Sequence, residues 1–368
     1  MKSANLAYFS RLDHLRLAAS LWVFIFHLRF AGDFPGAGNE LTDPVEILKL
    51  WVDNGRSGVS LFLVLSGFLF CLIGLNSARP IRYLPFIYNR ILRIFPLTTL
   101  LVFITISVGR GDSTPLDVLR LLTLQLNTGG GAPVAVWGME AYFPIGPVWT
   151  VAVEFQFYLL FPFIFAAYRA HGASRLALLI LLMIATRLLL AGNSSDPDFH
   201  LTLYFTLIGR LDQFLIGMLL ATYYYRRSHS PLPPLRCLMV SILTLAVFTA
   251  YFAHRGPPWL RQSLEPTIEA LLCAALIYLY LHAPLPDWRW LDRLLAWLGG
   301  LSFSLYLSHT AIYRMMPKLG LAYPVSYADL CGKTLLLLPL LIAYATLTYY
   351  IIEKPFAARR VKYTTPGS

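Results

Sequence analysis

Leu12–Phe30 reads LDHLRLAASLWVFIFHLRF. The run is long and apolar enough to enter a bilayer as a helix, yet Arg16 sits near one end and His27 near the other. At about 100° per residue, the eleven steps between them return to within about 20° of the same face, and the rise separates them by roughly 16 Å. One stripe of this helix therefore carries a guanidinium at one depth and an imidazole at another. Charged and titratable groups inside apolar spans are costly and face cavities or partners, so the stripe is a candidate site.

The rest of the chain agrees with a membrane setting. Its 368 residues are 57% hydrophobic and 13% charged, with mean hydropathy +0.61, where a soluble domain would carry roughly a quarter charged residues. Runs such as Ala177–Leu190 and Thr334–Ile352 are too long and apolar for surface helices. The fold class is an all-α polytopic membrane protein. About ten candidate spans are expected, near 12–31, 57–75, 84–108, 147–168, 174–191, 203–225, 235–253, 264–282, 295–316 and 332–353. One embedded domain covers 8–360, followed by a short tail, 361–368. The first apolar segment lacks a small-residue cleavage site and more spans follow, so it reads as a permanent helix.

Charge sets the expected orientation. Lys2, Arg11, Arg79, Arg82, Arg169, Arg175, Arg226, Arg227, Arg236, Arg289, Arg293 and the closing Lys354, Arg359, Arg360 and Lys362 all fall on one side of this topology. Most loop acids fall on the other. Both termini are therefore expected in the cytoplasm. The net charge of +11 follows the same rule and gives no nucleic-acid footprint, because no long Lys/Arg run exists. Cys71, Cys237, Cys273 and Cys331 lie in or beside apolar segments without C-x-x-C spacing, so they read as packing residues, not disulfides or metal ligands. The long opposite-side loop 109–146, with Gly129-Gly130-Gly131 and Pro144, is a place for acceptor recognition or a plain connector.

Other spans add ionisable groups. Glu154, Arg210, His309 and Glu269 fall in roughly one layer with His27, perpendicular to the spans, and Asp212 lies deeper. Arg90 and Arg93 share a face at the opposite end, level with Arg16. Three guanidiniums at one level suit a phosphate ligand, although each also fits a snorkelling anchor. Trp149 and Tyr306 fit either a site or an interface belt.

These segments carry a resemblance to the acyltransferase type 3 family of integral membrane acyltransferases. LDHLRLAASLWVFIFH has that family's Arg-x10-His opening, SGVSLFLVLSGFLF its second helix, and YNRILRIFP its Arg-x-x-Arg third helix. GPVWTVAVEFQFYLLFP, with Glu154 in the acidic position, GRLDQFLIGMLLA, LGGLSFSLYLSHTAI and YYIIEKPFAARR follow in order. Thr150 stands where the family usually has Ser, and the hydroxyl is kept. The C-terminal hydrolase-like domain that some relatives carry is not expected in these 368 residues. The resemblance implies transfer of an acyl group, commonly acetyl, from acyl-CoA to a hydroxyl of a sugar-containing acceptor, in the bacterial cytoplasmic membrane and with no resident cofactor. The acceptor would be a surface or lipid-linked glycan, or a diffusible glycosylated metabolite such as a macrolide.

On that reading Arg16, Arg90 and Arg93 hold the CoA phosphates. His27 acts as general base or takes the acyl group itself, and Glu154 orients His27 or stabilises its imidazolium. Trp149, Thr150, Arg210, Asp212, Tyr306 and His309 support the site or meet the acceptor. The rival class is a secondary transporter, which also explains ionisable residues inside a helical bundle.

Overall fold

A computed structural model describes residues 9–38, 41–108, 115–125, 127, 147–193, 203–227, 232–254, 258–286 and 288–364. The expected glycine-rich loop feature, Gly129–Gly131 with Pro144, lies outside them. The described residues form helices and no strand. In chain order these are α1 (Ser10–Ala31), α2 (Pro44–Asp53), α3 (Ser57–Leu75), α4 (Tyr83–Val108), α5 (Pro115–Leu122), α6 (Val148–His171), α7 (Ala173–Asn193) and α8 (Leu207–Arg227). They continue as α9 (Pro234–Ala253), α10 (Pro258–His282), α11 (Arg289–Gly300), α12 (Ser302–Arg314), α13 (Tyr327–Thr348) and, after a π turn at Tyr349–Glu353, α14 (Lys354–Ala357).

Seven of these helical stretches, in α3, α4, α6, α7, α9, α10 and from α13 to α14, are long and apolar enough to cross a membrane. The protein is an integral multi-pass membrane protein. Helices α1 and α8 have the length, 22 and 21 residues, but carry more charge. The stretch expected as one span over 295–316 is two helices, α11 and α12, broken at Leu301 behind the Gly299-Gly300 pair. The stretch between the first two expected spans, 32–56, contains α2, which starts where Asp43 accepts a 2.8 Å hydrogen bond from the Val45 amide and Pro44 fills the first turn.

The most apolar helix, α3, is also the most buried, and it packs along α8. Two glycines permit that approach. A Cβ on Gly67 would sit 2.0 Å from the Phe214 carbonyl oxygen, and one on Gly217 would sit 2.1 Å from that of Val64. Membrane helices gain little from apolar burial against one another, since lipid is equally apolar, so small residues that let backbones close up matter more. Around this pair, α4, α6, α7 and α10 complete a large apolar cluster. A second cluster joins α12 and α13 through Leu301, Leu305, Leu337 and Leu341. Helix α1 belongs to both: Ala19 and Val23 face the first cluster, and Leu17, Phe24 and Leu28 the second. It is the wall along which the two halves meet.

Candidate active site

A cavity of about 430 Å³ runs beside that wall, between α1, α3, α4, α6, the α11–α12 break and the C-terminal segment. Its basic end holds Arg16, Arg90, Arg93 and Arg360, and its other end reaches Glu154, Thr150 and Tyr306. Along α3 the lining runs from Phe70, beside Arg90, through Ser66, which donates to Glu154, to Phe62, 5.5 Å from the Tyr306 ring. The sequence places Arg16 and Glu154 on different helices, and the fold opens them onto one volume.

The basic end differs from three bare guanidiniums. Arg16 is paired with Asp13, one turn earlier on α1, at 2.7 Å. Arg93 is paired with the buried Glu353 at 2.5 Å, and Glu353 also accepts from Ser304 at 2.5 Å. The π turn supplies Glu353: one extra residue per turn rotates the following side chains by about 100°. Arg90 makes no ion pair among the described residues. Its guanidinium carbon lies 4.8, 5.5 and 5.6 Å from the ring centres of Phe70, Phe86 and Tyr158, and its buried Nε has no hydrogen-bond partner. Arg360 joins from the end of the chain. Burial, then the Arg93 and Arg90 guanidiniums, push its pKa down to about 9 against the opposing pull of Glu353. Cations outnumber carboxylates here, which leaves the end disposed to take an anion.

Glu154 does not meet His27. Its Oε1 accepts a 2.6 Å hydrogen bond from Ser66 on α3 and a short one from Tyr158, one turn along α6. The residue that touches His27 is His309 of α12, with Nε2 3.2 Å from His27 Nδ1 and ring centres 4.9 Å apart. Carbonyl oxygens set the proton positions. His309 Nδ1 is 2.6 Å from the Tyr306 carbonyl oxygen, which can only accept, so this nitrogen carries hydrogen and His309 Nε2 is the acceptor. His27 Nδ1 is 2.9 Å from the Val23 carbonyl oxygen, so it also carries hydrogen, shared between Val23 and His309. The lone pair of neutral His27 is thereby left on Nε2.

Tyr306 stands between the two groups. Its hydroxyl lies 2.8 Å from that of Thr150, and its ring is 5.5 Å from Phe62 and 5.7 Å from His309. The cavity reaches Tyr306 and Thr150; neither histidine lines it.

The remaining expected residues lie elsewhere. Asp212 is fully buried on α8 and is held by Arg187 at 2.8 Å and by a short hydrogen bond from Thr267. Arg210 donates to the Tyr204 carbonyl at 3.0 Å and stacks 3.9 Å over that ring, and Trp149 packs 5.1 Å from the same ring. Glu269 accepts hydrogen bonds from Ser57, Ser60 and, at 3.4 Å, Tyr251. Sequence reasoning passed over Asp13, Ser66, Tyr158, Glu353 and Arg360. Helical spacing signals two of these, Asp13 at three residues from Arg16 and Tyr158 at four from Glu154. Nothing local signals Ser66, Glu353 or Arg360.

A family model described as an acyltransferase domain matches residues 9–354. The chain is 26% identical, over 96% of its length, to the Bacillus subtilis protein named "Putative peptidoglycan O-acetyltransferase YrhL". It is 23% identical, over 95% of its length, to the Listeria monocytogenes peptidoglycan O-acetyltransferase OatA. It spans 56% of each of these relatives. No solved structure matches.

Proposed function

The chain belongs to the acyltransferase family whose domain model it matches, and from that premise we propose that it is a membrane O-acyltransferase. It moves an acyl group, acetyl first among the candidates, from cytoplasmic acyl-CoA to a hydroxyl of a sugar-containing acceptor at the bacterial cytoplasmic membrane. The peptidoglycan named for its relatives is the first acceptor to assay. One observation carries the reading: a single cavity connects the arginine-rich end to Glu154 and ends on Tyr306, with the His27–His309 pair behind it.

In this proposal the basic end faces the cytoplasm and binds the phosphates of the donor through Arg90, Arg93 and Arg16. The pantetheine arm lies along α3, toward Tyr306. His27 Nε2 takes the proton of the acceptor hydroxyl as its oxygen attacks the thioester carbonyl carbon. The carbon–sulfur bond then breaks, and the imidazolium returns the proton to the leaving thiolate, so acceptor ester and CoA are the products. His309 holds the ring in the productive tautomer, the orienting part expected of Glu154. Glu154 keeps the Coulombic part, since its negative charge favours the imidazolium. The Thr150–Tyr306 pair must part for the thioester to pass from the cavity to the histidines.

The test is release of CoA thiol from acetyl-CoA, together with acetylated glycan, in membranes holding matched amounts of wild-type and His27→Ala protein. Both products should fall by about 10²- to 10⁴-fold in the variant, the range of a lost general base. Undiminished product would remove His27 from the reaction. Transport of acceptor without CoA release in the wild type would favour the transporter class.

A further inference from the structure

The segment after the last long helix reads KPFAARRVKY, and its charges fit the positive-inside pattern of a membrane anchor. Its placement is more specific. Beyond α14 the backbone is fastened to the start of α4. The Arg82 amide donates to the Tyr363 carbonyl at 3.2 Å, and the Arg82 guanidinium donates to that of Lys362. Asn89 closes a two-way clasp, donating to the Val361 carbonyl at 2.7 Å and accepting from the Val361 amide at 2.9 Å. The Tyr363 ring is 1% exposed and packs 5.2 Å from Phe86. Residues 361–363, the start of the expected short tail, are thus docked against α4.

Docking turns neighbouring arginines in different directions. Arg359 is exposed, beside Phe356. Arg360 is half-buried and lines the cavity with Ala357, Ala358 and Tyr363, opposite a lining that includes Arg90 and Arg93. A solvated anchor would keep its arginines apart. Here backbone hydrogen bonds hold Arg360 against two like charges, with Glu353 as the carboxylate among them. Such repulsion is relieved when a polyanion enters, and guanidiniums suit phosphate oxygens in particular.

We propose that the C-terminal segment 354–363 forms part of the donor-binding site and that Arg360, acting with Arg90, binds phosphate groups of the acyl donor. The inference rests on the acyl-CoA reading above and adds a residue and an element to it. The ligand class is a phosphate-bearing thioester donor whose charged end is gripped by α4 and the docked segment together.

The experiment uses the purified full-length chain in detergent and measures equilibrium binding of CoA, of pantetheine, which lacks all phosphate, and of inorganic pyrophosphate. Arg360→Ala should weaken CoA and pyrophosphate by about tenfold or more, equal to roughly 1.4 kcal/mol, and leave pantetheine unchanged. Arg360→Lys should recover part of the loss, and Arg359→Ala should leave all three affinities at the wild-type level. Unchanged CoA affinity in Arg360→Ala would overturn the proposal. So would equal weakening of CoA and pantetheine, which would mark a structural role for the docked segment. If the wild type binds pyrophosphate in an Arg360-dependent way but not CoA, the donor reading fails while the phosphate site stands. If it binds none of the three, both fall.

Discussion

Two groups of buried charge divide this molecule. In one, Arg187 of α7 and Asp212 of α8 are both 0% exposed and pair at 2.8 Å, with Thr267 and two carbonyl oxygens completing the guanidinium's hydrogen bonds. In the other, Arg16, Arg90, Arg93 and Arg360 line a cavity and are matched by fewer carboxylates. Both are charges in an apolar chain, and residue type does not separate them. Compensation does. A matched pair outside the described cavity holds helices in register, whereas a surplus of one sign lining that cavity is a place for a ligand.

The sharpest way to break this contrast is Asp212→Ala. It strands the Arg187 guanidinium without water or counterion, so stability should fall by about 3–5 kcal/mol. Denaturant unfolding in detergent measures this, and the folded fraction should keep wild-type acetyl-CoA affinity. A stable Asp212→Ala protein that had lost donor binding would move Asp212 to the functional side of the division.

Glu154→Gln sharpens the contrast from the cavity side. Ser66 and Tyr158 both donate to the same oxygen, Oε1, which an amide carbonyl replaces in place. The substitution therefore removes charge and keeps geometry. The melting temperature should stay near wild type while turnover falls about tenfold, a change of ~1.4 kcal/mol in the barrier. Equal turnover would leave Glu154 as a packing partner of α3.

The smallest effect expected is one of pH. Arg360, pushed down to about 9, faces Arg90 and Arg93 of α4, Glu353 of the π turn and Tyr363 of its own segment, across a cavity that also holds Arg16 and Asp13. A guanidinium keeps its proton across this range, so the lowered value registers burial and repulsion from Arg93 and Arg90 and not a titration. Acetyl-CoA affinity should accordingly be flat from about pH 7 to 9, and a fall in that range that Arg360→Ala abolishes would break this reading.

Apolar runs, the Arg16–His27 stripe, the Arg90/Arg93 face and the acid in VWTVAVEFQFYLLFP are local patterns, and the amino-acid sequence alone was sufficient for the helical membrane class, the family resemblance and one end of the cavity. Those features depend on periodicity and composition, which a chain carries before it folds. Partner choice does not. Glu154 and His309 lie on different helices and could equally have faced His27; the packing of α12 against α1 gave that place to His309, and the approach of α3 to α6 gave Glu154 to Ser66. Asp212 looked like a site residue until α7 and α8 closed on it. Arg360 read as an anchor charge until Asn89, far away in sequence, clasped Val361. Whether a charge is matched, stranded or left facing a cavity depends on the sum of neighbours from several helices, and that sum exists only once the helices have packed.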